Sequence, residues 1–186
     1  DVYKRQSDSS YDENKRWPDG LSPFGFKVVE EMNKQGVMID ISHVSDAAFM
    51  KVLELSRAPV VATHSSLRHF TPGWERNVSD EMLIALAENG GVIQLCFGSD
   101  FVADRKNNPD LEVSVKNVVD HIDRVRDLVG IDHVGFGSDF DGEVPLPDDI
   151  NDVSKFPNLI EELLIRGYTE SEIDKILNGN LLRVWK

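Results

Sequence analysis

The chain has a single cysteine, Cys96, in 186 residues, so no internal disulfide can form and the redox compartment stays open. No stretch approaches the roughly 18 consecutive apolar residues that a membrane-spanning helix needs, so no membrane segment is read from it. Positive charge is scarce. Twenty Lys and Arg stand against 33 Asp and Glu, a net charge of −13, which argues against a nucleic-acid or anionic-membrane surface. There is no glycine-rich phosphate loop of the kind that marks dinucleotide or P-loop folds. The opening residues Asp1 to Gln6 carry neither an initiator methionine nor the apolar core of a signal peptide, so the chain reads as starting inside a longer protein.

What is present is a repeated alternation of short apolar runs and amphipathic segments. Residues 1–20 are polar and read as an incoming loop. Ser22-Pro23 then caps a helix that Gly36 closes, with Phe24, Val28, Val29 and Met32 on one face. Strands are predicted over 37–42, 59–64, 92–97 and 133–139. Between and after them come helices over about 45–56, 80–89, up to Val129, 154–166 and 169–178. The helix ending at Val129 has the clearest buried face: Val115, Val118, Val119, Ile122, Val125 and Val129. Four βα units with near-continuous apolar strands mean a parallel sheet covered by helices. From the residues alone, this is either an open doubly wound sheet or a piece of a (β/α)8 barrel.

The polar residues gather at strand ends, where barrel enzymes keep their chemistry. His43 ends one predicted strand and His64 ends the next. A lone histidine there is more often a loop hydrogen-bonding group. Two at equivalent places on neighbouring strands, roughly 4.8 Å apart, can converge on one zinc. Two ligands do not complete such a site, which needs at least three. Asp139 ends the fourth strand in Gly137-Ser138-Asp139-Phe140-Asp141-Gly142, where it could move a proton or simply anchor a turn. Arg76, in the loop after His64, has the fork geometry to bind a substrate carboxylate, although surface ion pairing is the commoner use of such an arginine. Asn77-Val78-Ser79 matches a glycosylation sequon, a triplet common by chance. His121, His133 and Cys96 read as structural. The three tryptophans show no stacking pattern.

Taken together, Leu21-Ser22-Pro23-Phe24-Gly25, Met38-Ile39-Asp40-Ile41-Ser42-His43-Val44-Ser45, Thr63-His64-Ser65-Ser66, Arg76-Asn77-Val78-Ser79-Asp80, Gly90-Gly91-Val92-Ile93 and Gly137-Ser138-Asp139-Phe140-Asp141-Gly142 resemble the membrane dipeptidase (renal dipeptidase-type) zinc peptidases. The closing Ile176 to Val184 is similar to that family's last helix. The resemblance implies an α/β fold of metallo-dependent hydrolase type: a TIM-like (β/α)8 barrel with two zinc ions bridged by a carboxylate and a hydroxide. It implies His43 and His64 as ligands of one zinc and Arg76 as the residue holding the substrate's carboxylate. Asp139 would both bind substrate and handle the proton at the scissile amide. The implied substrate is a small dipeptide.

The family's His-x-Asp pair, its bridging Glu and a further His have no counterpart in this chain. Residues 1–186 therefore read as one partial domain, the C-terminal half of the barrel with about four βα units. Residues 1–6 read as a junction artefact. Alone, such a half is expected to be inactive, and its open sheet edges could pair two copies into a homodimer. Two other readings remain: a zinc amidohydrolase acting on a cyclic amide or lactone, and a non-catalytic half-barrel assembly module.

Overall fold

The computed structural model describes residues 6–186. The proposed junction at 1–6 lies outside the described residues except for Gln6. Three parallel strands, β1 (Val61–Ser65), β2 (Val92–Cys96) and β3 (Val134–Ser138), form a sheet in the order β1-β2-β3. The helices are α1 (Pro23–Gln35), α2 (Asp46–Leu55), α3 (Asp80–Glu88), the short α4 (Ser99–Val102), α5 (Val115–Val129), α6 (Phe156–Ile165), α7 (Glu170–Asp174) and α8 (Asn180–Trp185). This is the α/β architecture with a parallel sheet that the alternation predicts.

The helix starts follow capping chemistry. The Ser22 hydroxyl accepts from the Gly25 N–H with Pro23 in the first turn, and Gly36 closes α1 at φ 67°. Ser45 and Ser79 cap α2 and α3 in the same way. Residues Val118, Val119, Ile122 and Val125 of α5 are fully buried, as the periodicity predicts, and join Val60, Ala62, Ile93, Leu95 and Val134 in one apolar cluster.

Three expectations are corrected. The strand predicted over 37–42 is present only as a single parallel bridge, Asp40 to Val61. Its ladder is cut short because the Asp40 carboxylate takes the backbone N–H groups of Ser42 (2.9 Å) and Thr63 (3.1 Å), turning the chain where further strand bonds would fall. On α1 the core side is Gly25 and Val29, while Phe24 is 54% exposed, because Gly25 lies against the Gln6 carbonyl and rotates Phe24 outward. The last predicted helix is not one unbroken element: a π-turn over Lys175–Gly179 separates α7 from α8. Asn180, directly after that turn, donates to the carbonyls of Ile131 (2.7 Å) and Val134 (2.8 Å).

Candidate active site

The site lies where β1, β2, β3 and the Ile39–Ile41 segment end. Ile41 N–H bonds to the Val61 carbonyl at 2.8 Å and Val61 N–H to Ile39 at 3.0 Å, which sets that segment beside β1. Two residues on, His43 sits at φ 70°, in the left-handed region. That backbone is uncommon for a non-glycine residue and concentrates at functional positions. It aims the ring across the strand ends at His64, and the two Nε2 atoms lie 2.8 Å apart.

Proton accounting fixes what those nitrogens present to each other. The Thr63 hydroxyl donates its only hydrogen to Asp40 Oδ2 at 2.6 Å. Its contact with His64 Nδ1 at 2.8 Å must therefore be one in which Nδ1–H donates, leaving a lone pair on His64 Nε2. Arg76 Nη2, which can only donate, lies 3.2 Å from His43 Nε2, so that nitrogen also presents a lone pair. Burial, reinforced by the Arg76 guanidinium, holds both imidazoles below their usual range, His43 to about 4. Two neutral imidazoles thus bring unprotonated Nε2 atoms within 2.8 Å of each other, with the Arg76 guanidinium donating to that of His43.

Two unprotonated nitrogens that close repel unless an electron-poor centre serves both. One zinc at the usual bond length holds two nitrogens roughly 3.3 Å apart in tetrahedral geometry, so the pair fits a shared zinc after a small ring adjustment. The Asp40–Thr63–His64 chain is the kind of outer contact that orients a ligating imidazole. Among the described residues, no group of three or more His, Cys, Asp or Glu side chains is placed to hold a metal.

Arg76 reaches this pair from a braced loop. Arg68 grips Asp46 with two bonds of 2.6 and 2.7 Å and also bonds the Asn77 carbonyl. Asn77 is buried, its amide donating to Thr71 Oγ1 and Phe101 O and accepting from Ser66 N. The sequon at Asn77 is therefore inaccessible in this fold. Arg76 itself is 3% exposed, bonded to Ser65 Oγ at 2.8 Å and the His64 carbonyl at 2.7 Å, with its guanidinium 5.2 Å from the Phe101 ring centre. Its Nε hydrogen has no partner among the described residues. Burial lowers the guanidinium's pKa.

Asp139 also has left-handed backbone, at φ 68°. Its Oδ2 lies 3.7 Å from the Cys96 sulfur, and a side chain at Gly142 would collide with the carboxylate. The structure thus brings His43, His64, Arg76 and Asp139 to one end of the sheet.

Several contributors are not legible as such in the sequence. Tyr11, in the supposed incoming loop, lies 5.9 Å ring to ring from His43, and its hydroxyl end meets Arg76 although the ring is largely exposed. That loop is pinned: Ser10 N–H bonds the His43 carbonyl at 2.9 Å and Ser45 N–H bonds Asp8 O at 2.9 Å. Asp40 did leave a signal, a carboxylate in the middle of an apolar run. Trp74 packs against Phe101 with ring centres 4.6 Å apart and planes tilted by 54°, so one tryptophan does have an aromatic partner.

A parallel α/β sheet thus carries a histidine pair, an arginine and an aspartate at its carboxyl edge. The membrane dipeptidase model, peptidase family M19, matches residues 3–186, and the chain belongs to that family. Dipeptidase 3 of Macaca fascicularis is 41% identical over 167 residues, covering 90% of this chain and 33% of that protein. The chain thus spans about a third of the length of this curated relative. A metallo peptidase from Rhodobacter sphaeroides, solved with a phosphinate mimic of the dipeptide L-Ala-D-Ala, superposes with a TM-score of 0.83 at 35% identity, over 90% of this chain and 47% of that one. The probable dipeptidase PvdM from Pseudomonas aeruginosa gives 0.88 at 30% identity, over 97% and 59%.

Proposed function

We propose that this chain is the C-terminal half of a (β/α)8-barrel zinc dipeptidase and supplies His43 and His64 to one metal of a two-zinc site. The observation that carries the reading is the facing of two neutral imidazole nitrogens across 2.8 Å with Arg76 beside them. When bound, zinc would polarise the scissile carbonyl and activate water. The chain's own groups do the rest. Arg76, with its unpartnered Nε hydrogen, binds the free carboxylate of a dipeptide and fixes the scissile amide over the histidines. Asp139 accepts the proton given up by the attacking water and returns it to the departing amine. Thr63 and Asp40 keep the His64 ring from turning.

On this reading the 186-residue chain hydrolyses nothing by itself, because a histidine pair is an incomplete ligand set. With β3 carrying no further strand among the described residues, the isolated chain also pairs edge to edge into a dimer. The test is dipeptide hydrolysis with zinc, comparing the isolated chain with the full-length enzyme. Turnover by the full-length protein alone supports the proposal. Equal turnover by the isolated chain overturns the half-site, and no turnover by either overturns the activity.

A further inference from the structure

Cys96 is fully buried, yet it stands outside the apolar cluster that includes its neighbours Leu95 and Phe97. Strand alternation explains the separation. Ile93 and Leu95 face the helices, whereas Gln94 and Cys96 share the opposite face, where the Gln94 amide reaches the Phe136 carbonyl. The β2–β3 register then slips by one residue: Leu95 pairs with Phe136, but Cys96 pairs with Ser138. The extra residue is Gly137, whose missing side chain would otherwise strike the Thr63 carbonyl. This bulge carries Asp139 up to Cys96, with Sγ and Oδ2 3.7 Å apart, within hydrogen-bond range for sulfur. A carboxylate oxygen can only accept, so in this contact the thiol is the donor. Burial pushes the thiol up to about 12, so it remains a donor at neutral pH.

We infer that Cys96 is a positioning residue, its S–H donating to Asp139 Oδ2 and fixing the plane of the carboxylate that moves the proton. The inference rests on the role proposed above for Asp139. It also separates cleanly from the ordinary use of a buried cysteine as a small apolar filler. A filler tolerates alanine better than serine, whereas a donor tolerates serine better than alanine.

Two measurements test it. In the infrared, subtracting the Cys96→Ala spectrum isolates the S–H stretch of this one thiol. That band should move to higher frequency in Asp139→Asn, a change that suits the left-handed backbone and replaces the charged acceptor with a neutral one. An unmoved band overturns the contact. In the full-length enzyme, Cys96→Ala should lower kcat about three- to tenfold with KM unchanged, and Cys96→Ser should recover most of the loss. Unchanged kcat in Cys96→Ala, or serine worse than alanine, overturns the positioning role. Wild-type dipeptide turnover in the same assay is the control. Its absence sinks the proposed activity, while the infrared result still decides the contact.

Discussion

The Thr63 hydroxyl stands 2.8 Å from His64 Nδ1 and passes its own hydrogen to Asp40, so the tautomer of His64 is set by its sequence neighbour. Thr63→Val keeps the shape of the side chain and removes that control. In the full-length enzyme we expect zinc affinity to fall about 10- to 100-fold, the usual cost of losing such an outer contact. Competition against a chromophoric chelator measures it, and an unchanged dissociation constant would dismiss the orienting role.

Arg76 gives a selective prediction. Arg76→Ala should cut kcat/KM about 100-fold on a dipeptide with a free carboxylate and leave the corresponding dipeptide amide near its wild-type rate. Equal losses on both would show that the guanidinium braces the site without reading the carboxylate. They would favour a substrate such as a cyclic amide or lactone.

At Gly137 even a methyl group would meet the Thr63 carbonyl and the Gln94 backbone, neither of which can yield without opening the sheet. Gly137→Ala should therefore destabilise the fold by about 1–3 kcal/mol, the range for overpacking a close-packed site. The urea midpoint gives the number. A shift smaller than a few tenths would mean that the strands separate more easily than their hydrogen bonding indicates.

His121 predicts a pH dependence. Its Nδ1 accepts from Leu67 N–H at 3.0 Å and its Nε2 lies 3.2 Å from the Val102 carbonyl, on the buried face of α5. Burial, partly offset by the Val102 carbonyl, holds it at about 4 against 6.5 in an unfolded chain. Below 6.5 the unfolded state binds the extra proton, so stability falls with pH from about 6.5 to about 4, by up to roughly 3 kcal/mol. His121→Gln keeps a donor and an acceptor without titrating, and its stability should fall less across that window. Parallel curves for the two proteins would contradict the assignment.

Much of the fold was legible because it rests on local chemistry. Serines before helices, glycines after them and the valine face of α5 each act within a few residues. The four candidate side chains stood out for a similar reason, since each follows a short apolar run or sits in the loop after one. What sequence could not give is contact between distant segments. Tyr11 reaches His43 only because the preceding loop is tied to Val44 and Gly20, and nothing in its polar composition encodes that. Cys96 looked like core because an apolar strand conceals which side each residue takes, and the bulge at Gly137 in the neighbouring strand is what brings Asp139 up to it. The cut-short strand at Asp40 was misjudged for a related reason: a side chain usurped hydrogen bonds that hydrophobicity assigned to a ladder.

His43 and Asp139 both hold a backbone shape that glycine adopts freely and other residues reach at a cost on the order of 1 kcal/mol or more. Replacing either with glycine would relieve that tension while deleting the side chain it serves. Durability and chemistry therefore pull in opposite directions at these two positions. A selection for heat resistance alone would tend to yield a tougher protein that had gone silent.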